Sequence, residues 1–252
     1  MHYKGHIVLT GRPRKVIIIL GVVTVFNIYF SYNPLVAIIG DIKGSKKLED
    51  RRVTQKRLKE VLDQINIDYQ KDIASKFMIT LGDEFQGLLT VGSSAIIIVD
   101  RIEREMYPVR LRFGIGVGEI TTEININMPL GADGPAYYNA RKAIDELKAL
   151  ENKKMVSKSS IRIGIQGYDG ISELTNSIFS LLTAIKETWT PRQVEIINSY
   201  LKTGTQIEAA RLLNIDQSTV QKALSSSNYY HYRDAIETVA KALSGVKGDN
   251  GV

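Results

Sequence analysis

The sequence predicts an α+β fold: a largely antiparallel sheet with helices packed on it, followed by an all-α segment. Three observations lead there. Short apolar runs alternate with amphipathic stretches over residues 35–168, the pattern of strands and helices sharing one core. Two of those runs meet at a Gly82-Asp83 turn, which is a hairpin signal. From Trp189 onward, apolar residues recur only at helical spacing, after a Thr-Pro start and around a Gly stop.

The elements follow in order. Val36–Gly40 (VAIIG) is a continuous apolar run that reads as a buried strand. Between Thr54 and Gln70, Leu58, Val61, Leu62 and Ile65 fall on one helical face. Phe77–Leu81 and Glu84–Thr90 flank the hairpin turn. Ser93 or Ser94 is the expected cap of a helix carrying Ile96, Ile97, Val99, Ile102 and Met106. Val109–Ile120 reads as a long alternating strand, and a loop at Met128–Pro135 leads into a helix at Ala136–Asn152. Ile161–Ile165 returns as a strand, and Ile171–Glu187 is an amphipathic helix expected to join two units.

Composition narrows the chemistry. The 252 residues include no cysteine and three histidines, two of them His2 and His6, so thiolate chemistry is excluded and an imidazole-rich metal site disfavoured. Any metal must be held by oxygen ligands, which suits Mg²⁺, Mn²⁺ or Ca²⁺. Cysteine-free composition is compatible with a cytoplasmic setting. The net charge of +6 is concentrated at the start: residues 1–34 carry Lys4, Arg12, Arg14 and Lys15 and no acid, leaving +2 for the other 218 residues. Overall basicity therefore does not point to DNA.

Residues 1–34 form an apolar, basic leader. Val16–Gly40 has no charged side chain, and a membrane helix needs about 20 mostly apolar residues. This run qualifies, with residues 16–32 as the anchor, only if Asn27, Ser31, Asn33 and Pro34 are tolerated. A signal peptide would need a small-residue cleavage site, which does not follow. The folded pattern begins after Pro34, and Leu35 or Val36 is a candidate alternative start. A dispensable leader, a membrane anchor and an extra buried strand all remain open.

Two constellations carry chemistry. In the first, Asp41 follows a buried strand within GDIKGSK (Gly40–Lys46), and Asp83 sits at a hairpin tip within LGDEF (Leu81–Phe85). Two carboxylates at adjacent strand ends are able to hold a divalent ion that also meets substrate phosphate. Lys43, Gly44 and Ser45 offer a cation, backbone N–H groups and a hydroxyl to phosphate. Taken one at a time, Gly-Asp is ordinary turn chemistry. Gly114, Gly116 and Gly118 alternate on one strand face, where they permit close approach of another element rather than forming a dinucleotide fingerprint.

The series GDIKGSK, LGDEF, RFGIGVGEI (Arg112–Ile120) and GPAYYNAR (Gly134–Arg141) resembles the class III nucleotidyl cyclase domain, and LGDEF is similar to the hairpin of diguanylate cyclases. The resemblance covers Val36–Asn152 and implies a palm-like, ferredoxin-like fold, usually a head-to-tail homodimer. It implies Asp41 and Asp83 as ligands of Mg²⁺ or Mn²⁺, a nucleoside triphosphate as ligand, and Arg141 as the group that stabilises the transition state. Glu84 is a second catalytic candidate. Tyr137 stands where the family has asparagine, and Ile79 where it has a base-selecting lysine, so the base and transition-state parts depart from the pattern. The whole chain is similar to the SatD family.

In the second constellation, WTPRQVEIINSYLKTGTQIEAARLLNIDQSTVQKAL (Trp189–Leu224), Thr190 caps a helix with Pro191 at its first position, and Gly204 closes it. Val194, Ile197 and Leu201 are its expected apolar stripe. Thr205 caps a second helix with Ile207, Ala210 and Leu213 inward, and Gln217–Ser225 is the third. This resembles helix-turn-helix modules of the sigma-factor region 4 and response-regulator type. That resemblance implies base contacts from Gln217, Ser218, Gln221 and Lys222, and phosphate contacts from Thr205 and Gln206. Six Lys/Arg against four Asp/Glu over Lys186–Arg233 imply modest, salt-sensitive DNA affinity. The run Tyr229–Tyr232 is expected to pack a last helix, Asp234–Leu243, against the bundle.

The expected layout is thus a leader (1–34), a cyclase-like domain (35–168), a linker helix (169–188), a helix-turn-helix domain (189–243) and a flexible tail (244–252). The expected function is a DNA-binding transcription regulator with a metal- or nucleotide-binding sensor domain. The alternative is a Mg²⁺- or Mn²⁺-dependent nucleotidyl cyclase or transferase whose helical module localises or dimerises it.

Overall fold

Strand β1 (Leu35–Ile42) is buried at every position, as its uninterrupted apolar run predicts. It lies at the centre of the protein in a computed structural model that describes residues 28–45, 50–151, 153 and 158–248. The five-stranded sheet has the order β2-β3-β1-β4-β5. β1 pairs antiparallel with β3 (Glu84–Leu89) and β4 (Leu111–Gly118), and β2 (Ile73–Leu81) pairs antiparallel with β3. β5 (Ile161–Ile165) alone runs parallel to its neighbour, β4. A parallel pair requires a crossover, which helix α3 (Pro135–Glu151) supplies.

The two faces of the sheet are covered differently. Val36 and Ile38 join Phe85, Phe113 and Ile115 in the larger core, with α1 (Arg51–Asp68) and α2 (Gly92–Met106) packed over them. Leu35, Ala37 and Ile39 face the other way and meet Ala136, Tyr137, Ala140 and Ile144 of α3. This alternation is the two-residue period of a strand buried on both sides. Gly114 and Gly116 explain how closely α3 sits. A Cβ at Gly116 would lie 1.9 Å from the Ala136 carbonyl oxygen, and one at Gly114 would lie 2.2 Å from that of Ala140. The helix backbone rests directly on β4.

Helix α4 (Asp169–Glu187) differs from the expected linker. Phe179 and Leu182 are buried in the main core, and the helix runs beside β5 as part of the α+β body. Helices α5 (Pro191–Thr203), α6 (Gln206–Leu213) and α7 (Gln217–Ser226) then gather around Ile196, Ile197, Ala209, Ala210, Val220, Leu224 and Tyr229. Ile207 points outward, 56 % exposed, and Leu201 lies at the margin, so the apolar stripes are narrower than expected.

Helix α8 begins at Tyr229 rather than Asp234 and ends at Ala242. Its Tyr232, Ile236 and Val239 enter the main core instead of serving the small bundle alone. The segment expected to be a loose tail is tied down as far as residue 248. Val246 is buried and accepts from the Gly92 N–H, and the Gly248 N–H donates to the Thr90 carbonyl. At the other end Ile28 is buried in the same core and Tyr29 exchanges hydrogen bonds with the Tyr168 hydroxyl, so ordered packing starts before Leu35. Neither Ser93 nor Ser94 caps α2: the cap position is Val91, and the Ser94 hydroxyl donates to Asp72. No helix among the described residues is long and apolar enough to cross a membrane. The leader readings for residues 1–27 lie outside the described residues.

Candidate functional site

The register of three strands places Glu84, Asp41 and Arg112 side by side. Asp41 of β1 is paired with Glu84 of β3 on one flank and with Arg112 of β4 on the other. Being in one cross-strand row, all three project to the face covered by α3. Each then meets a partner from that helix. Glu84 accepts two hydrogen bonds from Arg141, at 2.6 and 2.8 Å. Asp41 accepts from Lys148 at 2.9 Å. Arg112 donates to both oxygens of Glu151, at 2.8 and 2.7 Å. Positions 141, 148 and 151 fall on one side of a helix, since seven residues make about two turns. The close seat of α3 on the β4 glycines brings that side within reach.

Arg112 also holds Asp41 directly, its Nη1 donating to both carboxylate oxygens at 2.8 and 3.0 Å. Lys43 adds a second cation to Glu151, at 3.0 Å. Hydrogen bonds from Arg112, then from Lys43, hold the Glu151 carboxyl down at about 2, against partial burial that pulls the other way. The Arg112 guanidinium is correspondingly harder to deprotonate, first through its bonds to Glu151 and then through Asp41. Arg141 shifts in the same direction through Glu84.

Asp83 occupies the hairpin tip beside this row, next to Gly82 at φ +65°. Its partner is Arg51, at 3.8 Å, from the helix on the opposite face. Gln55 of the same helix donates to the Gly82 carbonyl and steadies the turn. In the expected phosphate loop, the Lys43 N–H is spent on the Arg110 carbonyl and its ammonium on Glu151. Gly44 stays exposed at φ +65°, with Ser45 half-buried behind it.

These residues do not fit a divalent ion as they stand. Asp41, the first expected ligand, already carries a guanidinium and an ammonium, and its side chain is only 9 % exposed. Among the described residues, no three Asp, Glu or His side chains converge as a ligand set. Arg141 and Glu84, the two catalytic candidates, are brought together but bind each other. Tyr137 is buried among Ala37, Ile39 and Leu88 with no hydrogen-bond partner for its hydroxyl, and burial raises its phenol pKa.

In the helical segment, Thr190 and Gln193 form a reciprocal capping box, and Gly204 closes α5 in the left-handed region. Asn214, also left-handed, turns the chain between α6 and α7, and Asp216 precedes α7. Val220 and Leu224 are buried, while Gln217, Ser218, Gln221 and Lys222 are all exposed on the opposite side. Thr205 caps α6 by accepting from the Glu208 N–H. Gln206 accepts from Gln217 at 2.6 Å and donates to the Tyr230 hydroxyl, which ties the starts of α6 and α7 together.

A family model described as the SatD family matches residues 35–243. The chain belongs to the SatD family. No curated protein matches it. Solved structures similar to this SatD-family chain include a bacterial light-regulated adenylyl cyclase, with 17 % identity over 52 % of this chain and 75 % of that one, at TM-score 0.38. The adenylyl cyclase CyaB from P. aeruginosa is 13 % identical over 56 % of this chain and 82 % of its own, at TM-score 0.36. A regulator of polyketide synthase expression from Bifidobacterium adolescentis is 13 % identical over 84 % of this chain and 80 % of its own, at TM-score 0.26.

Two groups of functional candidates in this SatD-family chain escaped the sequence. Lys148 and Glu151 carried a usable signal, since they share a helix face with Arg141. Arg112 was visible only as the start of a motif, because its place beside Asp41 is set by strand pairing. The second group joins α2 to α8. The Tyr232 hydroxyl donates to Asp100 at 2.6 Å, Arg104 donates to the other oxygen at 2.8 Å, and Lys186 pairs with Glu103 beneath the Tyr232 ring. Burial, followed by the Asp100 charge, lifts the Tyr232 pKa well above the ordinary tyrosine value. Trp189 closes the joint, donating to the Ser227 carbonyl and meeting Tyr232 edge to face.

Proposed function

We propose that this protein is a DNA-binding transcription regulator whose α+β domain serves as a ligand-sensing domain. One observation carries the reading. Helix α7 buries Val220 and Leu224 against α5 and α8, and it leaves a wholly polar face of Gln217, Ser218, Gln221 and Lys222 in solvent. A helix of ten residues that presents amide and ammonium groups outward after a three-residue turn suits a major groove. Gln221 is able to pair with adenine and Lys222 with guanine or phosphate. The N-terminus of α6, at Thr205 and Gln206, suits a phosphate. A homodimer would set two such helices on grooves about 34–36 Å apart.

Selection from a randomised duplex library, followed by anisotropy titration of the recovered duplex, tests this. Lys222→Ala is expected to weaken binding across sequences and lower the salt slope by about 1, whereas Gln221→Ala relaxes base choice at a cost of ~1–3 kcal/mol. A library that shows no enrichment, with titrations indifferent to Lys222→Ala, defeats the reading.

A second reading, a Mg²⁺- or Mn²⁺-dependent nucleotidyl cyclase or transferase, is supported by the arrival of Asp41, Glu84, Asp83 and Arg141 at one end of the sheet. It requires Lys148 to leave Asp41 and Arg141 to leave Glu84. Pyrophosphate release from ATP or GTP with Mn²⁺, abolished by Asp41→Asn, would establish it.

A further inference from the structure

The three rungs between the sheet and α3 set acids against bases, and that pairing says what the Asp41 centre turns away. We infer that Arg112 and Lys148 stand where a divalent cation would sit on Asp41, so that this centre is built on fixed side-chain cations and excludes Mg²⁺ and Mn²⁺.

The argument begins with the oxygens. Both carboxylate oxygens of Asp41 accept from Arg112, and Oδ2 also accepts from Lys148 at 2.9 Å. A metal ion bound there would sit beside a guanidinium and an ammonium; on the guanidinium side little water screens the repulsion, the Arg112 side chain being 13 % exposed and that of Asp41 9 %, while Lys148 is 42 % exposed. Mg²⁺ also keeps several of its waters, and a carboxylate so enclosed offers no room for them.

The neighbours are matched in the same way. Glu84, adjacent in the row, is held at both oxygens by Arg141, and Glu151 is held by Arg112 and Lys43. Asp83 is drawn toward Arg51 on α1. Among the described residues, Asp41, Glu84, Asp83 and Glu151 each thus face at least one base. The Lys148 side chain is 42 % exposed, and its position is set by the helix that carries it. It extends from the helix face that also carries Arg141 and Glu151, and the helix itself is pressed onto Gly114 and Gly116. The cation is therefore delivered by the same packing that builds the fold.

The inference is independent of the DNA-binding reading, and its failure would restore the metal-dependent enzyme without touching α7. The test is a Mn²⁺ titration of the full chain, followed by electron paramagnetic resonance of the free ion. Wild-type protein is expected to leave the Mn²⁺ signal at its buffer value through the millimolar range. Lys148→Glu, which replaces the ammonium by a second carboxylate against Asp41, is expected to gain one Mn²⁺ site. Asp41→Asn in that background should remove it. Melting of each variant by circular dichroism verifies folding, and Lys148→Glu should melt higher with Mn²⁺ than without. Wild-type binding that Asp41→Asn abolishes would overturn the inference. A folded Lys148→Glu that still ignores Mn²⁺ would overturn the part assigned to Lys148, leaving Arg112 alone as the cation in the ion's place.

Discussion

Asn176 of α4 bonds Ile163 of β5 in both directions: its side-chain oxygen accepts from the Ile163 N–H at 2.7 Å, and its side-chain nitrogen donates to the Ile163 carbonyl at 2.9 Å. The amide thereby imitates one residue of a neighbouring strand. Ser172 accepts from the Ile165 N–H, and Ser159 serves both polar groups of Ile161, so the outer edge of β5 is closed by side chains. The opposite edge repeats the device: Asn66 of α1 accepts from the Phe77 N–H and donates to its carbonyl, where the β2 register shifts.

Removing either amide should expose a strand edge. Asn176→Ala is expected to cost ~1–3 kcal/mol, because two partly buried backbone groups lose their partners. The unpaired edge should also promote self-association. Urea denaturation gives the first quantity and sedimentation velocity the second. An Asn176→Ala protein with unchanged midpoint would show that water replaces the amide at no cost.

The row beneath α3 should respond unequally to substitution. Arg112→Met leaves Asp41 and Glu151 facing each other's surroundings without their shared base, and should destabilise by ~3–5 kcal/mol. Arg141→Ala breaks a pair that is far more exposed, and should cost ~1 kcal/mol or less. Chemical denaturation of the two variants in parallel checks the ranking. Equal losses would mean that solvent screens the Asp41–Arg112 contact as well.

Acid should loosen the same network through Glu151. Its carboxyl titrates near 4.5 when unfolded and at about 2 when folded, first because Arg112 donates to the ionised form. A folded pKa below the unfolded one means that the unfolded chain takes up the proton first. The stabilisation is therefore complete above about pH 4.5 and is lost as pH falls toward 2. The Glu151→Gln variant should be less stable at neutral pH and flatter across that window, as melting midpoints at stepped pH would reveal.

Two glycines should tolerate alanine very differently. Gly116→Ala would drive a methyl against the Ala136 carbonyl, lifting α3 from β4. A loss of at least ~1–3 kcal/mol is expected, with Arg141 and Lys148 drawn away from their acids. Gly170 has open space around it in the first turn of α4, so Gly170→Ala should be neutral or stabilise by ~0.4–1 kcal/mol. Thermal melting of both variants, with salt dependence for the first, separates the outcomes.

Local chemistry was legible in the sequence where it acts within a few residues. Thr190, Pro191, Gln193 and Gly204 announce the start and stop of α5, and the alternating glycines of β4 announce a close approach. Ile207 was misjudged because the helical period alone does not say how wide the buried stripe is. The burial of Val246 does not show in the sequence because it depends on α2, about 150 residues earlier in the chain. The candidate site shows the same division. Asp41 and Asp83 stand out as Gly-Asp pairs at strand ends, but the partners that occupy them come from strand register and from the crossover helix. Pairing across the sheet is a non-local choice that no short motif records.

The route of the chain through α8 gives the helical segment an uncommon mechanical status. It leaves the α+β body at the end of α4 and comes back through Tyr232, Ile236, Val239 and Val246, which are buried in the body's own core. Helices α5 to α7 are therefore a loop clamped at both ends, not a pendant on a single tether. A pendant reorients freely; a clamped loop transmits torque, so any tilt of α7 must strain the Trp189 and Tyr232 anchorages together. A protease cut in the α6–α7 turn would leave two fragments that still hold each other, the second through the α8 side chains buried in the body carried by the first.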